Sequence, residues 1–522
     1  MPGKRLSLVI LGVLTLALCA IGFWKYHGYY SDDSFISLRY CHNFLSGEGL
    51  VWNTGERIEG YSNFLLVILV SLLGRLGVDL VTASKVIGVG AFAGLLLVLL
   101  RQLQMRIRCG DGDDYLALIP VILTAGSFCM VVWSMGGLET TLFTLLVTSS
   151  LLLVNNPSRR SLRQIVAGSI LLGLATLARP DGGLFFVIAV LFYAVPMLQR
   201  KESAGSRLLL LVFPYLVVTL AHELWRFSYY GRLLPNTWYV KGLFSWERLW
   251  LGCLYIKDFA LTPPFLPILL LIVLVYAAVK HPWGYSLYFF GSGVLAYLAY
   301  VAFLGGDHMA AFRPIVGIIP IMGILLSLAL RPIARRINGK AGLFAACLIL
   351  LLSFLQVVLP GPGFRYAEQM DNAAYSGMIV GKYIAREWPN GSLIALNSAG
   401  ATPYYAPEDR FIDMLGLNDA TIARRETVPI VSAYQFVPGH SKGDGQYVFD
   451  RRPDYIIAGP SNGSDVYHAW TLSEYELARI LEFKNAYRLK SVRIPVTQYE
   501  GYLNHGDTRT GTMTFTFYER VK

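Results

Sequence analysis

Long apolar runs separated by short polar segments fill the first two thirds of the chain. Twelve of these runs approach or reach the roughly 20 residues that a helix needs to cross a bilayer. Lys4 and Arg5 precede the first run, which we interpret as an anchor because it is longer than the apolar part of a cleaved signal. The pattern predicts a mainly α, polytopic bundle of membrane helices. The twelve runs lie at 7–24, 61–77, 83–100, 115–133, 138–154, 163–178, 182–199, 206–222, 261–279, 284–303, 312–330 and 341–359.

Clusters of Lys and Arg indicate which connecting segments face the cytoplasm. If the N-terminus is cytoplasmic, all four clusters face the cytoplasm only when one of the two runs between residues 61 and 100 does not cross the membrane. The run 61–77 is the weaker span, because Asn63 stands at its start and Arg75 near its end, and we interpret it as a juxtamembrane or re-entrant helix. About eleven spans are therefore expected, with the C-terminal part outside. The clusters are Arg101, Arg106 and Arg108; Arg159, Arg160 and Arg163; Arg200, Lys201 and Arg207; and Arg331, Arg335, Arg336 and Lys340.

The pattern changes after Pro360, where a glycine-rich linker is followed by frequent charges and no further run of spanning length. Short β-like runs alternate there with polar helical stretches at 366–386 and 472–486, which predicts an α/β domain. We expect a transmembrane catalytic domain at 1–360 and a soluble extracytoplasmic α/β domain at 361–522. The β-like runs are 392–396, 410–414, 455–458 and 512–518.

The composition excludes three broad classes of protein. Of the 522 residues, 54% are hydrophobic and only 15% are charged, whereas a soluble domain carries about 25% charged residues. An aromatic content of 13% excludes a disordered chain. The formal charge of +11 comes largely from the short basic connections, as expected of a membrane protein and not of a nucleic-acid partner. These observations indicate an integral, multi-pass membrane protein.

Two adjacent carboxylates, Asp32 and Asp33, lie just beyond the first apolar run, in the first outer loop at 25–82. Two neighbouring negative charges repel each other, so one carboxyl becomes less acidic than a free aspartate, which suits a general base. The alternative is that Ser31 or Asp32 caps a helix that begins at residue 34. Both roles can coexist, and the pair alone does not decide between them.

The rest of segment 25–82 mixes aromatic, amide and carboxylate side chains with glycines, a composition more typical of a sugar-binding loop than of a solvated linker. Its candidate substrate-binding residues are Arg39, Glu56, Glu59, Tyr61 and Asn63.

Two further outer turns carry charged candidates for substrate binding. Glu139 stands at a helix start, where the interaction of its charge with the helix dipole is the alternative explanation. Arg179 and Asp181 flank a proline in a tight turn between two apolar runs. The turn explains the proline and the glycine that follows, but it does not explain the arginine.

The connection at 222–241 interleaves basic and aromatic residues. An aromatic belt at the membrane surface is one explanation. The other is a site for an anionic lipid phosphate, in which Arg226, Arg232 and Lys241 donate charge-assisted hydrogen bonds. The neighbouring candidates for substrate contacts are Trp225, Asn236 and Tyr239. A last outer cluster consists of Asp307, His308 and Arg313, where a metal site is the weaker interpretation.

Several of these segments, in this order, resemble the terminal arabinofuranosyltransferases of mycobacterial cell-wall arabinan, which belong to the GT-C class of membrane glycosyltransferases. The similarity extends over nearly the whole chain. In the resemblance Asp32 corresponds to the acidic residue that is the hallmark of the GT-C class, and Asp33 is its neighbour. The segments are 32–40, 137–140, 178–182, 230–237 and 305–307 in the membrane part, and 397–400, 412–419 and 438–444 in the C-terminal part.

The resemblance implies a GT-C bundle in a bacterial inner or plasma membrane that moves a sugar from a polyprenyl-phosphate donor to a cell-envelope glycan or lipid acceptor on the outer face of that membrane. The implied reaction inverts the anomeric carbon, with Asp32 as the base and basic side chains neutralising the phosphate. Arabinofuranose is the first expectation for the sugar. A divalent cation is optional, because phosphate is already a good leaving group.

Two rival functions are a polyprenyl-linked sugar flippase or transporter, and a membrane-anchored binding protein. A flippase needs a polar path across the bilayer, and the apolar runs carry no ionisable residue near their middle. A binding protein does not need eleven spans around an acidic outer mouth. We therefore expect a membrane glycosyltransferase, of pentoses or hexoses, and no nucleic-acid partner.

Overall fold

The computed structural model describes residues 2–108, 114–198, 204–241, 245–280, 284–336, 340–499 and 511–521. Arg200 and Lys201 of the third basic cluster lie outside these residues. Up to residue 358 the described chain is helical, with 3₁₀ turns at Pro157–Arg159 and Ala310–Phe312. The α-helices are Pro2–Tyr26, Asp32–Leu45, Phe64–Arg75, Leu80–Arg108, Asp114–Ala125, Phe128–Met135, Thr140–Val154, Leu162–Ala178, Gly182–Leu198, Ala204–Tyr230, Asn236–Lys241, Trp246–Ala260, Leu266–Lys280, Tyr285–Leu304, Arg313–Val316, Ile319–Arg336 and Lys340–Val358.

Five of these helices are long and apolar enough to cross a membrane, and two bent pairs bring the number to seven if each pair is one span. The bends are 45° within 114–135 and 61° within 310–334. Helix Phe64–Arg75 is only about 18 Å long at 1.5 Å per residue, well short of a bilayer core of roughly 30 Å. Four other apolar helices are also short, so the count of eleven spans stays a prediction.

The membrane helices bury one set of apolar side chains and expose another. Helix Pro2–Tyr26 buries Leu11 and Leu18 in the bundle but exposes Leu6 and Val13. In water such exposure would be costly, whereas hydrocarbon accepts it. The apolar exterior therefore agrees with a multi-pass membrane protein.

Two stretches that we expected to be connections are helical. Residues 222–230 are the last part of helix Ala204–Tyr230, and residues 246–260 form a separate helix. The charges of Glu223 and Arg226 ended the apolar run in the sequence, but the two side chains form an ion pair one turn apart, which a helix accommodates. The connection between the two helices is thus shorter than the sequence indicated.

The C-terminal domain contains a five-stranded mixed sheet. Its strands are β1 (Leu393–Leu396), β2 (Arg410–Asp413), β3 (Tyr455–Ile457), β4 (Tyr487–Pro495) and β5 (Thr512–Arg520). The order across the sheet is β2-β1-β3-β5-β4, in which β1 is parallel to β2 and β3, and β5 is antiparallel to β3 and β4. The helices are Asn372–Glu387, Ala401–Tyr405, Ala420–Ala423, Gly445–Asp450, Leu472–Leu477, Phe483–Ala486 and Val496–Tyr499, with 3₁₀ turns at Pro362–Phe364, Ala433–Phe436 and Val466–His468.

The four β-like runs of the sequence are confirmed as β1, β2, β3 and β5. The expected helix 472–486 is interrupted between Leu477 and Phe483. Strand β4 was missed, because its side chains are mostly exposed and charged residues recur along it.

Segment 25–82 packs against the C-terminal domain and not only against the membrane helices. Arg39 is buried and donates hydrogen bonds to the carbonyl oxygens of Trp52 (2.6 Å), Asp409 (3.0 Å) and Pro403. Burial lowers the pKa of Arg39 to about 9, so these carbonyl contacts compensate a costly desolvation. Glu56 forms an ion pair with Arg410 at 3.1 Å. Arg39 and Glu56, expected to bind substrate, therefore connect the two parts of the chain.

Candidate active site

A cavity of about 660 Å³ lies where segment 25–82, the polar ends of several membrane helices and the C-terminal domain meet. It brings together seven of the residues that the sequence singled out, although they come from four separate stretches of the chain. Those seven are Asp32, Asp33, Arg179, Lys241, Asp307, His308 and Arg313.

Asp32 is the first residue of helix Asp32–Leu45, and its side chain is directed to the C-terminal domain. The backbone N–H of Ala401 donates a hydrogen bond of 2.9 Å to its Oδ1. Ser31 occupies the N-cap position but makes no side-chain cap hydrogen bond, so the capping alternative is not supported. Burial is the main cause that raises the pKa of Asp32 to about 7; the Ala401 N–H opposes this rise, and the charges of Asp371 and Asp33 add to it.

Asp33 lines the same cavity and is half-buried. Lys241 lies on the cavity wall at the end of helix Asn236–Lys241. Burial lowers the pKa of Lys241, and the carboxylates of Asp33 and Asp307 partly oppose that shift. A cation and a pair of carboxyls therefore face one enclosed space, where charge interactions are stronger than in water.

Two arginines on the cavity wall are held in place by carboxylates. Arg179 donates to both oxygens of Asp181, from Nε at 3.0 Å and from Nη2 at 2.9 Å. The hydroxyl of Tyr297 donates to the same carboxylate at 2.7 Å. This bidentate contact fixes the plane of the guanidinium, so the arginine that the turn geometry did not explain points at the cavity.

The second arginine, Arg313, donates from Nε to Asp307 at 2.8 Å. Burial alone would raise the pKa of Asp307, but the charge of Arg313 outweighs it and lowers that pKa to about 2. His308 lies beside this pair, with Nδ1 3.5 Å from Asp307. The outer cluster of the sequence analysis is thus an ion pair on the cavity wall.

Glu139 does not line the cavity, but it contacts Arg179, which does. It accepts a hydrogen bond from Asn63 at 3.0 Å and lies 3.7 Å from Arg179. Asn63 in turn accepts from the hydroxyl of Ser37 at 3.1 Å. Glu139 is the N-cap residue of helix Thr140–Val154 but makes no side-chain cap bond. Its contacts link segment 25–82 to Arg179, and its position at the helix start is also the one at which a negative charge interacts favourably with the helix dipole.

The structure does not bring Arg226 and Arg232 to this cavity, which corrects the expectation of a single phosphate site with Lys241. Arg226 forms ion pairs with Glu59 (2.8 Å) and with Glu223. Arg232 lines a separate, smaller cavity. The continuation of the helix to residue 230 is the reason, because it carries Arg226 away from the end of helix 236–241.

The other candidates near residue 230 fill packing or backbone-binding roles. Tyr61 contacts the hydroxyl of Tyr230 at 3.2 Å. Trp225 packs on Phe64, with ring centroids 4.8 Å apart. Further along the chain, Asn236 donates to the carbonyl oxygens of Gly416 and Leu417, and Tyr239 lies under the guanidinium of Arg424.

The C-terminal domain supplies a wall of the cavity that the sequence candidates did not include. Asp371, Asn397, Tyr434, His440 and Trp470 line it. Burial lowers the pKa of His440 to about 3, so this imidazole is neutral at physiological pH. The signal for two of these residues was present in the sequence, because Asn397 and His440 stand in motifs that carried the family resemblance. Among the described residues no group of three His, Cys, Asp or Glu side chains is arranged to hold a metal ion.

Two curated proteins of the same name are similar to this chain. The chain is 25% identical over 370 residues to a terminal β-(1→2)-arabinofuranosyltransferase of Mycobacterium tuberculosis, covering 61% of this chain and 56% of that protein. A protein of the same name from Corynebacterium glutamicum is 26% identical over 394 residues, covering 67% and 54%. The chain spans about half the length of these curated relatives. The resemblance inferred from the motifs is confirmed, but the matched part is 61–67% of the chain and not nearly all of it.

Solved structures decide the fold. ArnT from Cupriavidus metallidurans bound to undecaprenyl phosphate matches with a TM-score of 0.54 and 13% identity, covering 77% of this chain and 85% of that one. The chain has a GT-C fold. The apo state of the same enzyme matches the GT-C fold of this chain with a TM-score of 0.53 and 13% identity, covering 80% and 87%. A domain of unknown function, DUF8728, matches residues 364–517, which is most of the part that follows the membrane helices of the GT-C fold.

Proposed function

We propose that the chain is a membrane glycosyltransferase that moves a sugar from a polyprenyl phosphate to a cell-envelope glycan or lipid acceptor on the outer face of the membrane. One observation carries the proposal: in a GT-C fold, a buried carboxyl with a pKa of about 7 shares a cavity with Lys241, Arg179 and Arg313. A base that is half ionised near neutral pH and cations for a leaving phosphate are the two requirements of this transfer.

In the proposed reaction Asp32 accepts the proton of the acceptor hydroxyl. The hydroxyl oxygen then attacks the anomeric carbon as the bond from that carbon to the phosphate oxygen breaks, and the configuration inverts. Lys241 and the two arginines bind the polyprenyl phosphate, whose negative charge grows as it leaves. Asp33 orients the acceptor beside the base. Arabinofuranose is the sugar we propose first, because both curated relatives are named for its transfer.

The test is transfer by the purified full chain. The donors are synthetic polyprenyl phosphates that carry arabinofuranose or, as alternatives, other pentoses and hexoses, and the acceptor is a short arabinan oligosaccharide. We expect release of polyprenyl phosphate together with an acceptor longer by one sugar and of inverted configuration. Absence of transfer from every donor, with the folded protein present, would reject the proposal. Movement of the lipid-linked sugar across reconstituted vesicles without transfer would favour the flippase.

A further inference from the structure

A second cavity, of about 160 Å³, contains three arginines from distant parts of the chain. Arg57 comes from segment 25–82, Arg232 follows the end of helix Ala204–Tyr230, and Arg424 comes from the C-terminal domain. We call this site the arginine pocket. It shares no lining residue with the cavity around Asp32, so the proposed transfer reaction does not account for it.

The guanidiniums of the arginine pocket have no carboxylate partner among the residues that the structure describes. Arg57 lies over the ring of Tyr229 at 4.8 Å and Arg424 over the ring of Tyr239 at 5.3 Å. The Nε of Arg424 is buried without a hydrogen-bond acceptor. Burial and the nearby charge of Arg232 lower the pKa of Arg424. Like charges that converge around an unsatisfied buried donor favour an anionic ligand.

Glu59 gives the pocket a second chemical feature. Its Oε2 accepts from Arg226 at 2.8 Å, but its Oε1 is buried and has no hydrogen-bond partner. Burial raises the pKa of Glu59 to about 7, although the charge of Arg226 opposes the rise. A buried carboxyl oxygen without a partner, in a pocket that three arginines also line, fits a ligand that carries a hydroxyl group next to its negative charge.

The position of the pocket indicates where such a ligand comes from. Helix Gly205–Tyr230 is a candidate membrane span, and Arg232 follows its end by two residues. The next two residues in the chain are Leu233, which is 65% exposed, and Leu234, which lines the pocket and is also exposed. Trp238, exposed as well, follows. Exposed apolar and tryptophan side chains beside arginines are typical of the headgroup region of a bilayer.

We propose that the arginine pocket binds the headgroup of an anionic phospholipid, with the phosphate on Arg57, Arg232 and Arg424 and a headgroup hydroxyl donating to Glu59. A free phosphate would satisfy the arginines, but it would not explain the apolar rim. The binding anchors segment 25–82 and the C-terminal domain to the membrane surface at one point.

The experiment measures lipid retention by the full chain. Native mass spectrometry is used after the protein is exchanged into detergent micelles that contain phosphatidylglycerol and phosphatidylcholine. Wild-type protein should retain phosphatidylglycerol in preference to phosphatidylcholine. Each of Arg57→Gln and Arg424→Gln should weaken that retention about fivefold, whereas Arg493→Gln, the same change at an exposed site on β4, should not. Equal loss in the β4 variant, or no loss in the pocket variants, would overturn the proposal.

Two further measurements test the role of the headgroup hydroxyl and distinguish a lipid from free phosphate as the ligand. Phosphatidylmethanol has the same charge but no headgroup hydroxyl, so weaker retention than that of phosphatidylglycerol is expected, and equal retention would refute the role of Glu59. Inorganic phosphate should not displace the lipid; complete displacement would assign the pocket to free phosphate instead. If Arg424→Gln fails to fold, Arg57→Gln decides, because its side chain is exposed and contributes little to stability.

Discussion

Asp32 is placed where activity and stability make opposite demands. Its carboxyl is only 7% exposed, and burial of an ionised carboxylate is costly unless partners compensate. The Ala401 N–H and a few weaker interactions compensate only in part, which is why the pKa rises to about 7 instead of falling. The same shift makes the residue a useful base at neutral pH.

Replacement of Asp32 by Asn tests both demands. Asparagine cannot take up a proton at neutral pH, so turnover should fall by about 10²- to 10⁴-fold. Wild-type turnover should itself rise with pH through about 7, as the base ionises. Purified Asp32→Asn protein that binds donor yet turns over at nearly the wild-type rate would pass the role to Asp33, which Asp33→Asn would test in the same assay.

The stability of the same variant has a pH signature. The folded-state pKa of Asp32 lies above the unfolded value, so its favourable contribution is fully present below about 4 and is lost as the pH rises to about 7. The Tm of Asp32→Asn relative to wild type should therefore increase across that window and level off above it. A Tm difference that does not change with pH would contradict the raised pKa of Asp32 and the burial that causes it.

Gly400 shows how the C-terminal domain positions Asp32, the proposed base. A Cβ at this residue would lie 2.1 Å from the backbone oxygen of Asp32 and 2.7 Å from its Cγ, closer than packed atoms approach. Gly400→Ala should displace the carboxylate and lower kcat by about tenfold or more while leaving the donor KM nearly unchanged. Gly90→Ala is the matched control, because a Cβ there meets nothing within 4 Å. An unchanged kcat and pH profile in Gly400→Ala would show that the domain does not position Asp32.

How much of the site could be predicted depended on where each residue stands in the sequence. Arg179 directly follows an apolar run, and Asp307 and Asp32 come four and eight residues after one. Topology alone therefore predicts that they meet at one side of the bundle. Asp371 and Trp470 could not be predicted in this way, because nothing in the local pattern tells which edge of an α/β domain faces the membrane. That orientation depends on long-range contacts such as those of Arg39.

At the scale of elements, helix Ala204–Tyr230 decides which cations lie at the cavity that we propose as the donor site. The apolar run ends at His222, whereas the helix continues for about two more turns, in which Arg226 pairs with the local Glu223 and with Glu59 from segment 25–82. Local sequence does not contain Glu59, which lies 167 positions away. The strands show the same limit: β1 to β3 are buried apolar runs and were predicted, whereas the exposed strand β4 exists only because it pairs with β5.

A pair of substitutions tests this division of roles. Lys241→Met removes a cation from the cavity and should raise the donor KM by about tenfold or more. Arg226→Gln leaves Glu59 buried without its charge partner, which typically costs about 3–5 kcal/mol of stability, and should leave the donor KM unchanged in the protein that folds. Lys257→Gln, at an exposed pair, is the control. A raised donor KM in Arg226→Gln would mean that Arg226 binds the donor phosphate together with Lys241, as the sequence first indicated.

At the scale of the whole molecule, the proposed chemistry requires segment 25–82 and the C-terminal domain to lie on the same side of the membrane. Single cysteines in a cysteine-free background test this. An impermeant maleimide applied to intact cells should label Thr54→Cys, Asp79→Cys and Asn390→Cys, all at exposed positions, but should label Ser158→Cys only after permeabilisation. Protection of Asp79→Cys alone would mean that helix Phe64–Arg75 crosses the membrane, and labelling of Ser158→Cys in intact cells would invert the topology.

The cavity has two walls with different chemistry, which predicts a division between the two substrates. Cations lie on the membrane side, whereas the C-terminal domain presents Tyr434 and Trp470, whose rings are 6.2 Å apart. Trp470 is 46% exposed although it lines the cavity, and an exposed aromatic face at a polar cleft is suited to stack on a sugar ring. We therefore expect the acceptor glycan to lie along this wall and the lipid donor to enter from the membrane side.

Trp470→Ala should accordingly raise the acceptor KM by about tenfold, since lost stacking and packing of one aromatic ring is worth roughly 1–2 kcal/mol. The donor KM should stay the same, because the phosphate contacts of Lys241 are untouched. Tyr467→Ala is the control: this ring belongs to the same domain and is exposed, but it does not line the cavity. Steady-state kinetics with each substrate varied in turn distinguish the outcomes. A rise in the donor KM with no change in the acceptor KM would mean that the donor binds at the C-terminal wall and the acceptor glycan lies against the membrane helices.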